Sequence, residues 1–117
     1  MISYVTVSTA KLEETVEFYQ WLLGLPIVAR LKEPTVEIVF LGDNETKFEL
    51  IGDPKAEMIN TKGISIGFAV DSLEEKMAML DEKKIRHGKV ISPAPNVRFF
   101  FFTDLNGCVI QLVEESK

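Results

Sequence analysis

The sequence predicts an α+β fold built from two βαβββ modules that form a curved mixed sheet around a cleft, with the helices on its outer face. Two observations carry this prediction. The first is an internal repeat: Leu12-Glu13-Glu14 recurs as Leu73-Glu74-Glu75, and Phe40-Leu41-Gly42-Asp43 recurs at the same spacing as Phe101-Phe102-Thr103-Asp104. After a one-residue slip in the turn, Phe48-Glu49-Leu50-Ile51 is matched by Ile110-Gln111-Leu112-Val113. The second is that each copy reads in the same order, as a strand, an amphipathic helix and three β-rich runs. At 117 residues the chain has room for one domain, 1–117, with internal modules 1–57 and 62–117.

Val5 and Val7 alternate with Tyr4, Thr6 and Ser8, which predicts a strand over Ile2–Ser8 that is apolar on one face. Leu12, Val16, Tyr19 and Leu23 follow at helical spacing, and Gly24 ahead of Leu25-Pro26 supplies a C-terminal stop. Strands are expected at Ile27–Leu31, Thr35–Leu41 and Lys47–Ile51, with Gly42-Asp43-Asn44 as a turn. The second copy opens with a strand over Ile64–Val70. Ser72 and Glu75 then form a capping box, and Leu73, Met77 and Leu80 mark the inner face of the second helix. Strands at Lys89–Ile91, Val97–Thr103 and Val109–Val113 complete the copy, and Ser92-Pro93-Ala94-Pro95-Asn96 reads as loop because of its prolines. A ferredoxin-like sandwich is the competing fold, but it leaves one of the three runs between Ile27 and Ile51 without a place.

Strand phase assigns the candidate site. If Phe48, Leu50, Ile110 and Leu112 pack under the helices, Glu49 and Gln111 point to the opposite face. Tyr4, Thr6 and Ser8 share that direction, as do Ser65, Gly67 and Ala69. Phe100 and Phe102 are then core, while Phe99 and Phe101 face away. Small and polar residues among aromatic rings suit a partly dry hollow that binds a small molecule. An open solvated face and a dimer interface are the alternatives. Trp21 falls off the inner stripe of its helix, which predicts an exposed contact surface.

Composition narrows the function classes. With 46% hydrophobic and 26% charged residues the chain is an ordinary globular one. A net charge of −5 argues against binding nucleic acid. The basic run Lys83, Lys84, Arg86, His87 and Lys89 falls where a helix should end and complements its dipole. No apolar run is long enough to span a membrane and no leader pattern follows Met1, so a cytoplasmic location is expected. Cys108 is the sole cysteine, which excludes an intrachain disulfide.

The run LEETVEFYQWLLGL, Leu12 to Leu25, and the run FFTDLNGCVIQL, Phe101 to Leu112, resemble motifs of the vicinal oxygen chelate superfamily. That superfamily includes glyoxalases, extradiol dioxygenases, and fosfomycin- and bleomycin-resistance proteins. The resemblance covers essentially the whole chain. Leu105 and Asn106 depart from the family's usual Pro-Asp, and Lys11 from a common Asp at the start of the first helix.

The resemblance implies metal-ligand positions at Tyr4, Glu49, Ser65 and Gln111, where family enzymes carry mostly His or Glu. Only Glu49 is kept, and His87 is expected in a loop beyond the second helix. No metal and no other cofactor is therefore expected. The leading expectation is a metal-independent binding protein of the bleomycin-resistance type, serving resistance or sequestration. Tyr4, Thr6, Glu49, Ser65, Phe99, Phe101 and Gln111 would hold a planar, cationic or amine-bearing compound. An alternative is a glyoxalase-like lyase or isomerase with Glu49 as general base and Tyr4 and Gln111 as oxyanion donors. A further alternative is a non-catalytic dimerising domain, since family members commonly form homodimers. The bland reading of Glu49 is a surface carboxylate paired with Arg98.

Overall fold

A computed structural model of the chain describes residues 1–60 and 62–115. The order is β1 (Tyr4–Thr9), α1 (Leu12–Leu23), β2 (Ile27–Lys32), β3 (Glu37–Leu41), β4 (Lys47–Gly52), β5 (Ile66–Ala69), α2 (Leu73–Glu82), β6 (Ile91–Ala94), β7 (Val97–Thr103) and β8 (Val109–Glu115). This is βαβββ given twice. The chain divides into two compact units, Met1–Met58 and Ile59–Lys117. Each unit has its own four-stranded mixed sheet, ordered β1-β4-β3-β2 in the first and β5-β8-β7-β6 in the second.

In the first unit β1 lies parallel to β4, while β3 runs antiparallel to both β4 and β2. One sheet face packs on α1, burying Val7, Val39, Leu41, Phe48 and Leu50 beside Val16, Tyr19 and Leu22. Tyr19 meets Phe48 edge-on, with ring centroids 5.0 Å apart. The buried stripe of α1 is Thr15, Val16, Tyr19 and Leu22. The expected Leu23 is only half-buried, because Leu22 follows Tyr19 at the i+3 spacing and so shares its face.

Trp21 is half-buried, not exposed, and its ring packs 5.8 Å from that of Phe18. Lys11 occupies the N-cap without a side-chain cap. The Lys11 N–H instead donates back to Thr9 Oγ1 at 2.8 Å, and Thr15 Oγ1 donates to the Lys11 carbonyl at 2.6 Å. Gly24 ends the helix as expected. Its φ of 64° is left-handed, and its N–H donates to the Gln20 carbonyl at 2.9 Å.

The second unit repeats the plan. β5 is parallel to β8, and β7 is antiparallel to β8 and β6. Leu73 and Leu80 of α2 are buried, as are Phe100, Phe102, Ile110 and Leu112 of the sheet. Ser72 caps α2, accepting the Glu75 N–H at 3.1 Å. The expected loop Ser92–Asn96 is a correction: β6 runs through Pro93, and the predicted strand at Lys89–Ile91 contributes only its last residue. Sheet order explains this. β6 is an edge strand, where a missing N–H costs no ladder bond if it faces outward, and its register against β7 slips between Ile91 and Ala94.

A pair of arginine clamps ties each helix start to its sheet. Arg30 of β2 grips Glu13 through two bonds, at 3.0 and 3.1 Å, and Glu37 at 2.9 Å. This bond holds the Glu13 carboxyl below its usual range. Arg98 of β7 reaches Glu74 at 2.6 Å and Glu114 at 3.4 Å. Glu114 in turn accepts the N–H of Leu73, the first residue of α2, at 2.8 Å.

Candidate functional site

Alternation along the strands leaves each sheet one face turned away from its helix. In the first unit register places Tyr4, Thr6 and Ser8 beside Lys47, Glu49 and Ile51, with Ile38 and Phe40 on the next strand. Thr6 and Glu49 are direct partners across the parallel pair, and Thr6 Oγ1 donates to Glu49 Oε1 at 2.6 Å. Glu49 is half-buried. Arg98, named above as one partner for Glu49, engages Glu74 and Glu114 of its own unit. Arg98 lies on β7 opposite Glu114, one residue out of phase with Phe99 and Phe101. The Tyr4 ring, half exposed, leans on Phe40 with centroids 5.4 Å apart.

The second unit carries the corresponding arrangement without a carboxylate. Gln111 is the register partner of Gly67 on β5 and of Phe101 on β7. A Cβ built on Gly67 would lie 3.0 Å from Gln111 Oε1, so the missing side chain is what lets the carboxamide lie across β5. Phe99 and Phe101 are half-buried on this face, edge to face at 5.6 Å, while Phe100 and Phe102 are core. Ser65 precedes β5 and lines a hollow of about 380 Å³ with Lys62, Gly63, Ile64, Phe101 and Val109.

Thr6 with Glu49, Ser65 with Phe101, and Phe101 with Gln111 are thus brought together within their units, and Tyr4 stands by Phe40. Five residues escaped the sequence reading: Phe40, Lys62, Gly63, Ile64 and Val109. Phe40 was signalled by the repeat that aligns it with Phe101, and Val109 by its alternation with Gln111 along β8; Lys62 had no comparable mark, because a turn before a strand carries no periodicity. A larger hollow of about 490 Å³ in the first unit, which includes Thr9, Leu12, Lys32 and Asp53, is lined by none of the predicted residues. Two of its carboxylates, Glu13 and Glu37, are held by Arg30.

The four positions to which the resemblance carries the family's metal ligands, Tyr4, Glu49, Ser65 and Gln111, offer a phenol, a carboxylate, a hydroxyl and a carboxamide. The single carboxylate already accepts the Thr6 hydroxyl. Among the described residues no three His, Cys, Asp or Glu side chains form a ligand group. His87 lies elsewhere, bonded to Asp81 Oδ1 and the Gly88 carbonyl at 2.8 Å each and stacked near Phe100. This donor set does not fit a borderline divalent ion, which takes imidazole, thiolate or several carboxylates.

Comparison with known proteins follows the same fold. No protein of curated function matches the chain by sequence. Among solved structures, a glyoxalase family protein from Enterococcus faecalis superposes with a TM-score of 0.78 at 20% identity, covering 97% of both chains. The trypanothione-dependent glyoxalase I of Leishmania major gives a TM-score of 0.83 at 20% identity, covering 98% of this chain and 86% of that one. The genomically encoded fosfomycin resistance protein FosX from Listeria monocytogenes gives 0.81 at 12% identity, covering 99% and 94%. At such identities the likeness speaks for fold alone. The family model for the Glyoxalase/Bleomycin resistance protein/Dioxygenase superfamily matches residues 1–112, and with the duplicated βαβββ architecture this places the chain in that superfamily.

Proposed function

We propose that the protein binds a small planar molecule on the open faces of its sheets, without a resident metal, in the manner of the superfamily's bleomycin-resistance type. The observation that carries this reading is the makeup of those faces. Each sets one hydrogen-bonding side chain, Glu49 or Gln111, beside aromatic rings, at a position that the family resemblance would assign to a metal ligand. Rings supply flat apolar contact, and a single orienting group fixes the ligand's edge. FosX of Listeria monocytogenes has been solved with Mn(II), so the fold itself admits a metal. What argues against one here is the donor chemistry.

Elemental analysis after dialysis against Mn, Fe, Ni and Zn salts tests the metal-free part. Well under one equivalent should remain, and one tightly held equivalent ends that reading. A thermal-shift screen of small aromatic compounds tests binding. Compounds that raise Tm should do so less for Glu49→Gln or Phe101→Ala, and an empty screen counts against the proposal.

One observation favours a second reading, in which Glu49 is a general base. The Thr6 hydroxyl fixes the direction of its carboxylate, as a positioned base requires. Glu49→Gln separates the two. Lost turnover with retained affinity means catalysis, while lost affinity without any turnover means binding.

A further inference from the structure

The geometry points to an organic anion as the occupant of the second unit's hollow: a flat, unsaturated or aromatic acid whose anionic group is received by Lys62. This rests on the binding role proposed above and narrows it to a chemical class.

The hollow is floored by the Phe101 ring and Val109, and walled by Ile64, which is 67% exposed and so offers an unused apolar surface. At about 380 Å³ it is large enough for one or two fused rings. Its side-chain polar lining is supplied by Ser65 and Lys62, from one short segment ahead of β5.

The charge on this face decides the class. Among the described side chains around the hollow, Val109, Gln111 and Val113 of β8 and Phe99 and Phe101 of β7 carry no acid, and neither do Gly67 and Ala69 of β5. Arg98 and Glu114 lie on the helix side, spent on each other and on Glu74. Lys62 is therefore the only formal charge that lines the hollow. A cation placed there would meet a lysine and no counter-charge. An anion would gain a charge-assisted bond at the edge of an apolar bed. Gly63, with φ of 83°, turns the chain between Lys62 and the strand, and Ser65 adds a second donor to the lining.

The test uses two fluorescent probes of matched shape on the full chain. One is 1-anilinonaphthalene-8-sulfonate, which is anionic; the other is N-phenyl-1-naphthylamine, its neutral counterpart. Lys62→Met should weaken the sulfonate about tenfold and leave the neutral probe unchanged, and Lys62→Arg should restore binding. Lys62 is exposed, so these variants fold as the parent does. Phe101→Leu should weaken both probes.

If Lys62→Met leaves the sulfonate unaffected while Phe101→Leu weakens both probes, the anion assignment is wrong and the binding role stands. If Phe101→Leu changes neither probe, the hollow is not a binding site and the anion assignment is wrong, while the binding role is decided by the thermal-shift screen. Equal loss of both probes in Lys62→Met also overturns the assignment, since charge would then play no selective part.

Discussion

Gly107 shows how much a single missing side chain can decide. It sits in the turn between β7 and β8 with φ of 85°, and a Cβ there would come within 2.4 Å of the Ile59 carbonyl oxygen. The Ile59 N–H meanwhile donates to the Asn106 carbonyl at 2.7 Å, so the segment before β5 is fastened to this turn. Gly107→Ala suffers both backbone strain and the collision. It should lower stability by about 1–3 kcal/mol in urea denaturation, with the loss confined to folding and not to probe affinity per folded molecule. Asp104, buried in the same turn, accepts the N–H groups of Asn106 and Cys108 at 2.9 Å.

Burial, and then the Asp104 charge, push the Cys108 thiol up to about 11 from an ordinary 9.0. The unfolded thiol ionises first, so its contribution to stability is complete below pH 9 and is lost as pH rises toward 11. The fall in urea midpoint over that window should be shallower in Cys108→Ala than in the parent, and the native thiol should resist alkylation at pH 8. Gly107 does not stand out in the sequence, because its need for a bare Cα comes from a contact with a distant segment.

At the scale of elements the sequence is more informative, and the two helix starts show why. Ser72 sits three residues before Glu75, a local signal, and it caps α2 as expected. Lys11 stands where a capping acceptor belongs, and α1 begins without one. Lys11→Ser should therefore raise stability by about 0.5–1.5 kcal/mol, read as a higher Tm, by supplying an acceptor and removing a cation from the positive end of the dipole. The clamps were not legible in this way. The aligned acids Glu13 and Glu74 hold equivalent places in the two helices, yet Arg30 comes from β2 and Arg98 from β7. The same mechanical result is reached from non-equivalent strands, so the repeat could not reveal it. Pro93 misled for a related reason: a proline argues against a central strand, and only sheet order tells that β6 is at an edge.

For the whole molecule, the duplication carried most of what could be foreseen. Period-two alternation placed Glu49, Gln111, Phe99 and Phe101 on the faces turned from the helices and Phe100 and Phe102 in the core, because one buried face specifies the phase of an entire strand. The phase of a helix is more forgiving, which is how Leu22 and Leu23 were exchanged. Function was less legible still. The resemblance named four positions, and their chemistry, a phenol, a carboxylate, a hydroxyl and a carboxamide, is what removes the metal from the proposal. Lys62, on which the ligand class turns, lies in a stretch with no repeat partner and no pattern.

The contrast between β6 and β2 carries a consequence for handling the protein. Both close a sheet and both slip in register, but β6 is four residues long and interrupted by proline, whereas β2 is six residues long and exposes Ile27, Val28 and Leu31. An unguarded strand of that kind is a template for intermolecular stacking when the chain is concentrated or warmed. Val28→Lys should delay the onset of turbidity on heating more than it moves the unfolding midpoint, and the same swap at Ser92 of β6 should do nothing for turbidity.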